Sequence, residues 1–221
     1  MQLTIFNGSP RGTGSNSDLL IQWLVEGVRQ NSNFRIDMLY LNKNRNHDSY
    51  IDKFKTSDIV LVVFPLYTDC MPGITMSFME KLQPLRRSLT GLKLGFVVHS
   101  GFPEAIQSRQ VEKYLEWLTE ELGTDYLGTV VMGGSEGISK RNQVLIRKKR
   151  MLFNELGRRL SQADKFDAEL VKKIAGIEKL GKFSVCLLQI IIKTGLLNII
   201  MNRRFKEKNA YRERFARPYA E

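Results

Sequence analysis

Between Gly8 and Ser17 the chain reads Gly-Ser-Pro-Arg-Gly-Thr-Gly-Ser-Asn-Ser. Glycines allow close backbone approach to a ligand, the serines and the threonine supply small hydroxyls, and Arg11 supplies a planar fork of N–H donors. If a helix starts where this stretch ends, its unbonded N–H groups and positive dipole end add to the same attraction. Those features together make a phosphate cradle; the plainer reading is a polar loop between a strand and a helix. The glycines fall as G-x-x-x-G-x-G. The stretch lacks both the Lys-Ser/Thr of a Walker loop and the G-x-G-x-x-G of a dinucleotide fingerprint. A second stretch, Phe64-Pro65-Leu66-Tyr67-Thr68-Asp69-Cys70-Met71-Pro72-Gly73, is stiffened by two prolines. Its Tyr67 and Met71 offer a flat aromatic and a polarisable side chain suited to lining a planar ring. Taken alone, they read first as a tight loop capping the core. The third stretch, Ser100-Gly101-Phe102-Pro103-Glu104, is again small, rigid and aromatic.

Other chemistries find less support. Cys70, Cys186, His47 and His99 are the only cysteines and histidines, and no spacing among them resembles a metal-ligand pair. Cys70 reads as a small packed residue before it reads as a redox thiol. His99 closes an apolar run and reads as a hydrogen-bonded core histidine. No G-x-S-x-G elbow is present. The run Arg147-Lys148-Lys149-Arg150 lies in a helical pattern, where its charges spread round a solvated face; the sharper reading is contact with an anionic co-substrate.

These stretches need elements to position them. Gln2 to Phe6 is a short apolar run ended by Asn7-Gly8. Asn16-Ser17-Asp18 then offers N-caps for a helix whose Leu19, Leu20, Trp23, Leu24 and Val28 recur at helical spacing. Phe34 to Leu41 alternates as a strand does, and a polar helical stretch follows from His47 to Lys55. Ile59 to Phe64 is β-branched and apolar on both faces, as a central parallel strand covered by helices must be. Leu94 to Val98 is another such strand. A helix with Val111, Leu115, Leu118 and Leu122 on one stripe follows, then a strand from Tyr126 to Met132. The order predicts an α/β fold: a doubly wound, five-stranded parallel sheet of flavodoxin-like order, with ligands expected outside the carboxyl ends of its strands.

The chain has 221 residues and a net charge of +11, unevenly distributed. Residues 1–139 carry 13 basic and 15 acidic side chains, whereas residues 140–221 carry 21 and 8. A sheet region of slight negative charge is no nucleic-acid footprint, so no nucleic-acid partner is expected. Two cysteines 116 positions apart, and an N-terminus without a basic segment followed by a long apolar one, read as a cytoplasmic chain in a reducing compartment. The expected organisation is a sheet core over 1–139 and a basic helical extension over 140–221. The extension would hold the last sheet-packing helix, an apolar helix over 183–201 and an Arg-rich tail ending Arg217-Pro218-Tyr219.

With GSPRGTGSNS, PLYTDCMPG, SGFPE and the GGSEGI stretch at Gly133 to Ile138, residues 1–139 resemble the NADPH-dependent FMN reductase-like flavoproteins of flavodoxin fold. The resemblance implies bound FMN, with Ser9, Arg11, Ser15, Asn16 and Ser17 on its phosphate. It implies Pro65, Leu66, Tyr67, Met71 and Pro72 flanking the ring, with Ser100, Gly101 and Phe102 at its other edge. It further implies an FMN-dependent NAD(P)H oxidoreductase. NADPH or NADH would be co-substrate and a flavin, quinone or similar small molecule the acceptor; the cofactor carries the chemistry, so no acid or base is named as catalytic. The alternatives are an FMN electron carrier without a nicotinamide site, against which the basic extension speaks, and a non-catalytic membrane-associated module. For the apolar helix, the preferred reading is packing on the domain or across a homodimer. The alternative is an interfacial anchor over 183–208, with Arg203, Arg204, Lys206 and Lys208 on anionic lipid headgroups.

Overall fold

The computed structural model describes residues 1–31, 33–43, 47–138, 142–162 and 165–216. The boundary expected between 139 and 140, and the tail end Arg217-Pro218-Tyr219, lie outside these residues. Five parallel strands, β1 (Gln2–Asn7), β2 (Arg35–Tyr40), β3 (Ile59–Pro65), β4 (Lys93–His99) and β5 (Asp125–Met132), form one sheet in the order β2-β1-β3-β4-β5. That is the doubly wound order expected from the sequence.

Helices cover both faces, and alternation along the strands assigns each side chain to one of two cores. Ile59, Leu61 and Val63 of β3 pack with Leu3, Ile5 and Val97 against α1 (Asn16–Asn31), α5 (Gln143–Arg159) and α6 (Ala168–Ala175). Val60, Val62 and Phe64 pack with Phe6, Phe96 and Val98 against α2 (Asp48–Lys55), α3 (Gly73–Lys81) and α4 (Gln110–Leu122). Every residue of β3 is buried. At about 2 kcal/mol for each fully buried aliphatic or aromatic side chain, the run Ile59–Phe64 contributes on the order of 10 kcal/mol of gross stabilisation.

Helix α1 matters twice, because its N-terminus faces the candidate site while its later turns clamp α5. The two helices meet backbone to backbone. A Cβ on Gly27 would lie 1.8 Å from the Asn154 carbonyl oxygen, and one on Gly157 would lie 2.0 Å from that of Leu24. Arg150 grips Glu26 with two hydrogen bonds of 3.0 and 2.9 Å, and the Asn154 amide donates to the Trp23 carbonyl at 2.7 Å. This contact holds the helix whose first turn the site uses.

The chain divides into two compact units, Met1–Lys179 and Leu180–Glu221. In the second, the apolar stretch read as one helix over 183–201 is two: α7 (Lys182–Lys193) and α8 (Leu196–Glu207). Gly195 separates them, in the left-handed region at φ +70° that breaks a helix. No single described helix is long and apolar enough to cross a membrane.

Candidate functional site

At the end of β1, buried Asn7 organises the first loop. Its Oδ1 accepts from the Ser9 amide at 2.9 Å, and its Nδ2 donates to the Gly12 carbonyl at 3.5 Å. Gly8 extends the ladder, its amide bonding the Val63 carbonyl at 2.8 Å, and a Cβ there would strike Thr75 Oγ1 at 2.3 Å. The loop enters α1 through Ser15, whose Oγ accepts from the Asp18 amide at 3.1 Å. The cap is therefore Ser15, one position before the expected Asn16-Ser17-Asp18. The Asp18 carboxylate reaches back to the Gly14 amide at 2.9 Å, close to the reciprocal pattern of a capping box. Gly14 meets this geometry with φ +75°. Burial, reinforced by a 2.6 Å hydrogen bond that the hydroxyl donates to Asp18, pushes the Tyr40 pKa up to about 12. Among the described residues, Ser9 and Ser15 engage only their lone pairs, and the Arg11 guanidinium makes no ion pair. Their donors are left for an anion.

The second loop, after β3, is a tight turn. The amides and carbonyls of Tyr67 and Cys70 bond each other at 2.9 and 3.1 Å, with Thr68 and Asp69 at φ +47° and +63°. A β-branched residue in the left-handed region is strained, and such strain is concentrated where a loop must hold a shape. The turn leaves Tyr67 46 % exposed. Pro72 is the N-cap of α3, its carbonyl accepting from Thr75 and Met76 at 2.8 and 3.0 Å. Met71 is buried in the core beneath.

The loops after β4 and β5 are knitted together. The Ser135 amide bonds the Ser100 carbonyl at 2.9 Å, and the Gly134 amide bonds that of Phe102 at 2.6 Å. His99, buried at the end of β4, joins three loops. Its Nε2 lies 2.8 Å from Ser17 Oγ and its Nδ1 2.9 Å from Ser135 Oγ. Because the Ser135 hydroxyl donates to the Ser100 carbonyl at 2.9 Å, it accepts from Nδ1–H, so Nε2 accepts from Ser17. The ring is neutral, and burial pulls its pKa down to about 4.

These loops enclose a cavity of about 80 Å³ lined by Ser9, Arg11, Ser15, Asn16, Pro65, Leu66, Tyr67, Ser100 and Gly101, all expected, and by His99, Ser135 and Glu136, which were not. Four expected residues stand apart from it. Ser17 turns its hydroxyl to His99, Met71 is core, Pro72 caps α3, and Phe102 lies at the rim, 51 % exposed. The partners missed come from the Gly133–Ile138 stretch and from His99. Only the quoted motif at 133–138 signalled the first, and nothing local signalled the second. A larger hollow of about 650 Å³ lies along β5, but its Arg109 is bonded by Glu112 and Glu178 at 2.7 Å each, which raises the guanidinium pKa further. The smaller cavity, not this one, lies at the carboxyl ends of the strands, where this topology places a ligand.

A family model described as flavodoxin-like fold matches residues 1–152. The chain belongs to this family. Solved structures share the flavodoxin-like fold at low identity. An FMN-dependent NADH-azoreductase from Bacillus anthracis, in complex with FMN, is 17 % identical with a TM-score of 0.58, covering 73 % of this chain and 100 % of its own. An NAD(P)H:quinone oxidoreductase from Methanothermobacter marburgensis is 11 % identical with a TM-score of 0.60, covering 73 % and 97 %. An NADH:FMN oxidoreductase in its apo form is 14 % identical with a TM-score of 0.57, covering 81 % and 96 %. No curated protein matches the chain.

Proposed function

We propose that this flavodoxin-like chain is an FMN-dependent NAD(P)H oxidoreductase that passes electrons to a flavin, quinone or similar small acceptor. The observation that carries this is the half-open cavity at the start of α1, with hydroxyl and guanidinium donors that the described residues leave unused. At about 80 Å³ the cavity is small beside the several hundred Å³ of a typical cofactor pocket, which suits it to the phosphate end of the cofactor. The rest of a flavin would lie at the rim, where Tyr67 and Phe102 expose aromatic surface. The residues present thus fit FMN as a phosphate held inside and a ring outside. The likeness to solved FMN and quinone oxidoreductases agrees with this reading.

When bound, FMN supplies hydride acceptance and one- or two-electron transfer; the protein supplies binding and orientation. Arg11, the hydroxyls of Ser9 and Ser15 and the first-turn amides of α1 would hold the phosphate dianion. Pro65, Leu66 and Tyr67 would wall one side of the ring, and Ser100, Gly101 and Phe102 the other. His99, neutral and bonded at both nitrogens, holds the three loops in register and moves no proton.

The test is a visible spectrum of the purified protein followed by anaerobic mixing with NADH or NADPH. Flavin bands that bleach within seconds are expected. Bands that persist would favour the electron carrier, and colourless protein that takes up no FMN would overturn the cofactor itself.

A further inference from the structure

We infer that the unit Leu180–Glu221 is a membrane-surface module that lies in the headgroup layer of an anionic bilayer. In α7, Lys182, Gln189 and Lys193 stand at i, i+7 and i+11 and so share one narrow stripe. Phe183, Val185, Leu187, Leu188, Ile190 and Ile192 occupy most of the remaining circumference, which Ser184 alone among polar residues interrupts. None of α7 is buried, and Phe183 is 83 % exposed. That much large apolar surface on one element needs a cover.

Length and charge select which cover. Twelve residues make a helix of about 18 Å, short of the roughly 30 Å of bilayer hydrocarbon. The break at Thr194-Gly195 bends α7 from α8 by 63°, so the pair does not form one straight span. An apolar helix with a thin polar stripe that cannot span lies in the interface. Helix α8 continues the pattern along its axis. Leu197, Ile199 and Met201 come first, with Ile199 67 % exposed, and Arg203, Arg204, Lys206 and Lys208 follow. Aromatic residues suited to the headgroup level accompany the cations: the Arg214 guanidinium lies 3.8 Å and Lys206 Nζ 5.0 Å from the Tyr211 ring centre. Residues 180–221 hold nine basic and three acidic side chains. One acid, Glu207, pairs locally with Arg203 at 3.4 Å. A net +6 attracts phosphate headgroups and repels a second copy of the same unit, so the bilayer, not a dimer partner, is the occupant.

The attachment is independent of the redox reading, and its test needs no cofactor. The full chain is floated with vesicles of phosphatidylcholine and phosphatidylglycerol in equal parts, and with phosphatidylcholine alone. Flotation with the anionic vesicles, weakened by salt and slight on the neutral ones, is expected. Lys206→Ala with Lys208→Ala should weaken anionic binding about 30-fold, at the usual contribution of two surface cations. Ile190→Asp should weaken it more than about tenfold by placing a carboxylate on the apolar face. The thermal midpoint of each variant checks that the sheet unit is intact, and the lysine variant keeps the test valid if Ile190→Asp disrupts α7. A parent chain that stays unbound to both vesicles, or variants that float like the parent, would overturn the proposal. So would a parent dimer that Ile190→Asp converts to monomer without vesicle binding.

Discussion

The loops at the carboxyl edge of the sheet and the helices after Leu180 use similar residue types to opposite ends. In the loops, Ser17, His99, Ser135 and Ser100 bond one another across long sequence separations, Asn7 braces the first loop locally, and all are buried. Among them Ser17, His99 and Ser135 have set partners, while the donors of Ser9, Arg11 and Ser15 face one cavity. After Leu180 no described residue is buried, and the backbone bonds are local ones of helix and turn. A network of distant partners dictates where a donor points before any ligand arrives. A helix bonded only to itself takes its setting from what it meets. Binding geometry is therefore built into the first region and acquired by the second.

Substitutions can break that contrast. The largest effect is expected at Gly157→Val, because its new side chain meets the Leu24 backbone at 2.0 Å, where no flexible group can yield. A loss of about 3 kcal/mol or more in urea unfolding should follow. The His99 network should show itself next, as a pH dependence. The unfolded imidazole titrates near 6.5, but burial holds the folded one to about 4. Below pH 6.5 the unfolded chain binds a proton that the folded chain refuses. Stability should then fall as pH drops from 6.5 towards 4, by up to about 3 kcal/mol, and be insensitive to this group above 6.5. His99→Gln should remove that window in urea titrations at successive pH values.

Smaller effects sharpen the distinction. Arg11→Ala should weaken FMN binding by about 2 kcal/mol, or about 30-fold in a flavin fluorescence titration, and leave stability unchanged, because its guanidinium makes no ion pair among the described residues. Ser15→Ala should cost about 1 kcal/mol of stability as a lost helix cap, seen in the same urea assay, along with a weaker hold on FMN. At the far end of the series, Ile190→Asp should change urea stability by less than about 0.5 kcal/mol, since it removes no buried contact. A large loss there would mean that the second unit stabilises the first.

Much of the fold was legible because local chemistry specifies it. The run Ile59 to Phe64, apolar on both faces, has no stable place other than a covered central strand, and the spacing of Leu19, Leu20, Trp23, Leu24 and Val28 describes one face of α1. Glycine and hydroxyl content set the first loop apart as the cradle we propose. What was not legible is direction. Ser17 has the hydroxyl a phosphate site wants, yet its partner is His99, 82 residues away. Met71 looked like a ring contact and is core. One apolar run became two helices because Gly195 takes a left-handed conformation.

By itself, then, the sequence determined the element order, the central strands, the glycine- and hydroxyl-rich first loop and the concentration of positive charge after residue 139, since periodicity and composition act over a few residues. The tertiary structure decided which hydroxyls face the cavity and which face the protein, that His99 ties three loops, and that Arg109 is satisfied while Arg11 is not. Those outcomes depend on partners brought together from distant parts of the chain, which only the closed sheet can juxtapose.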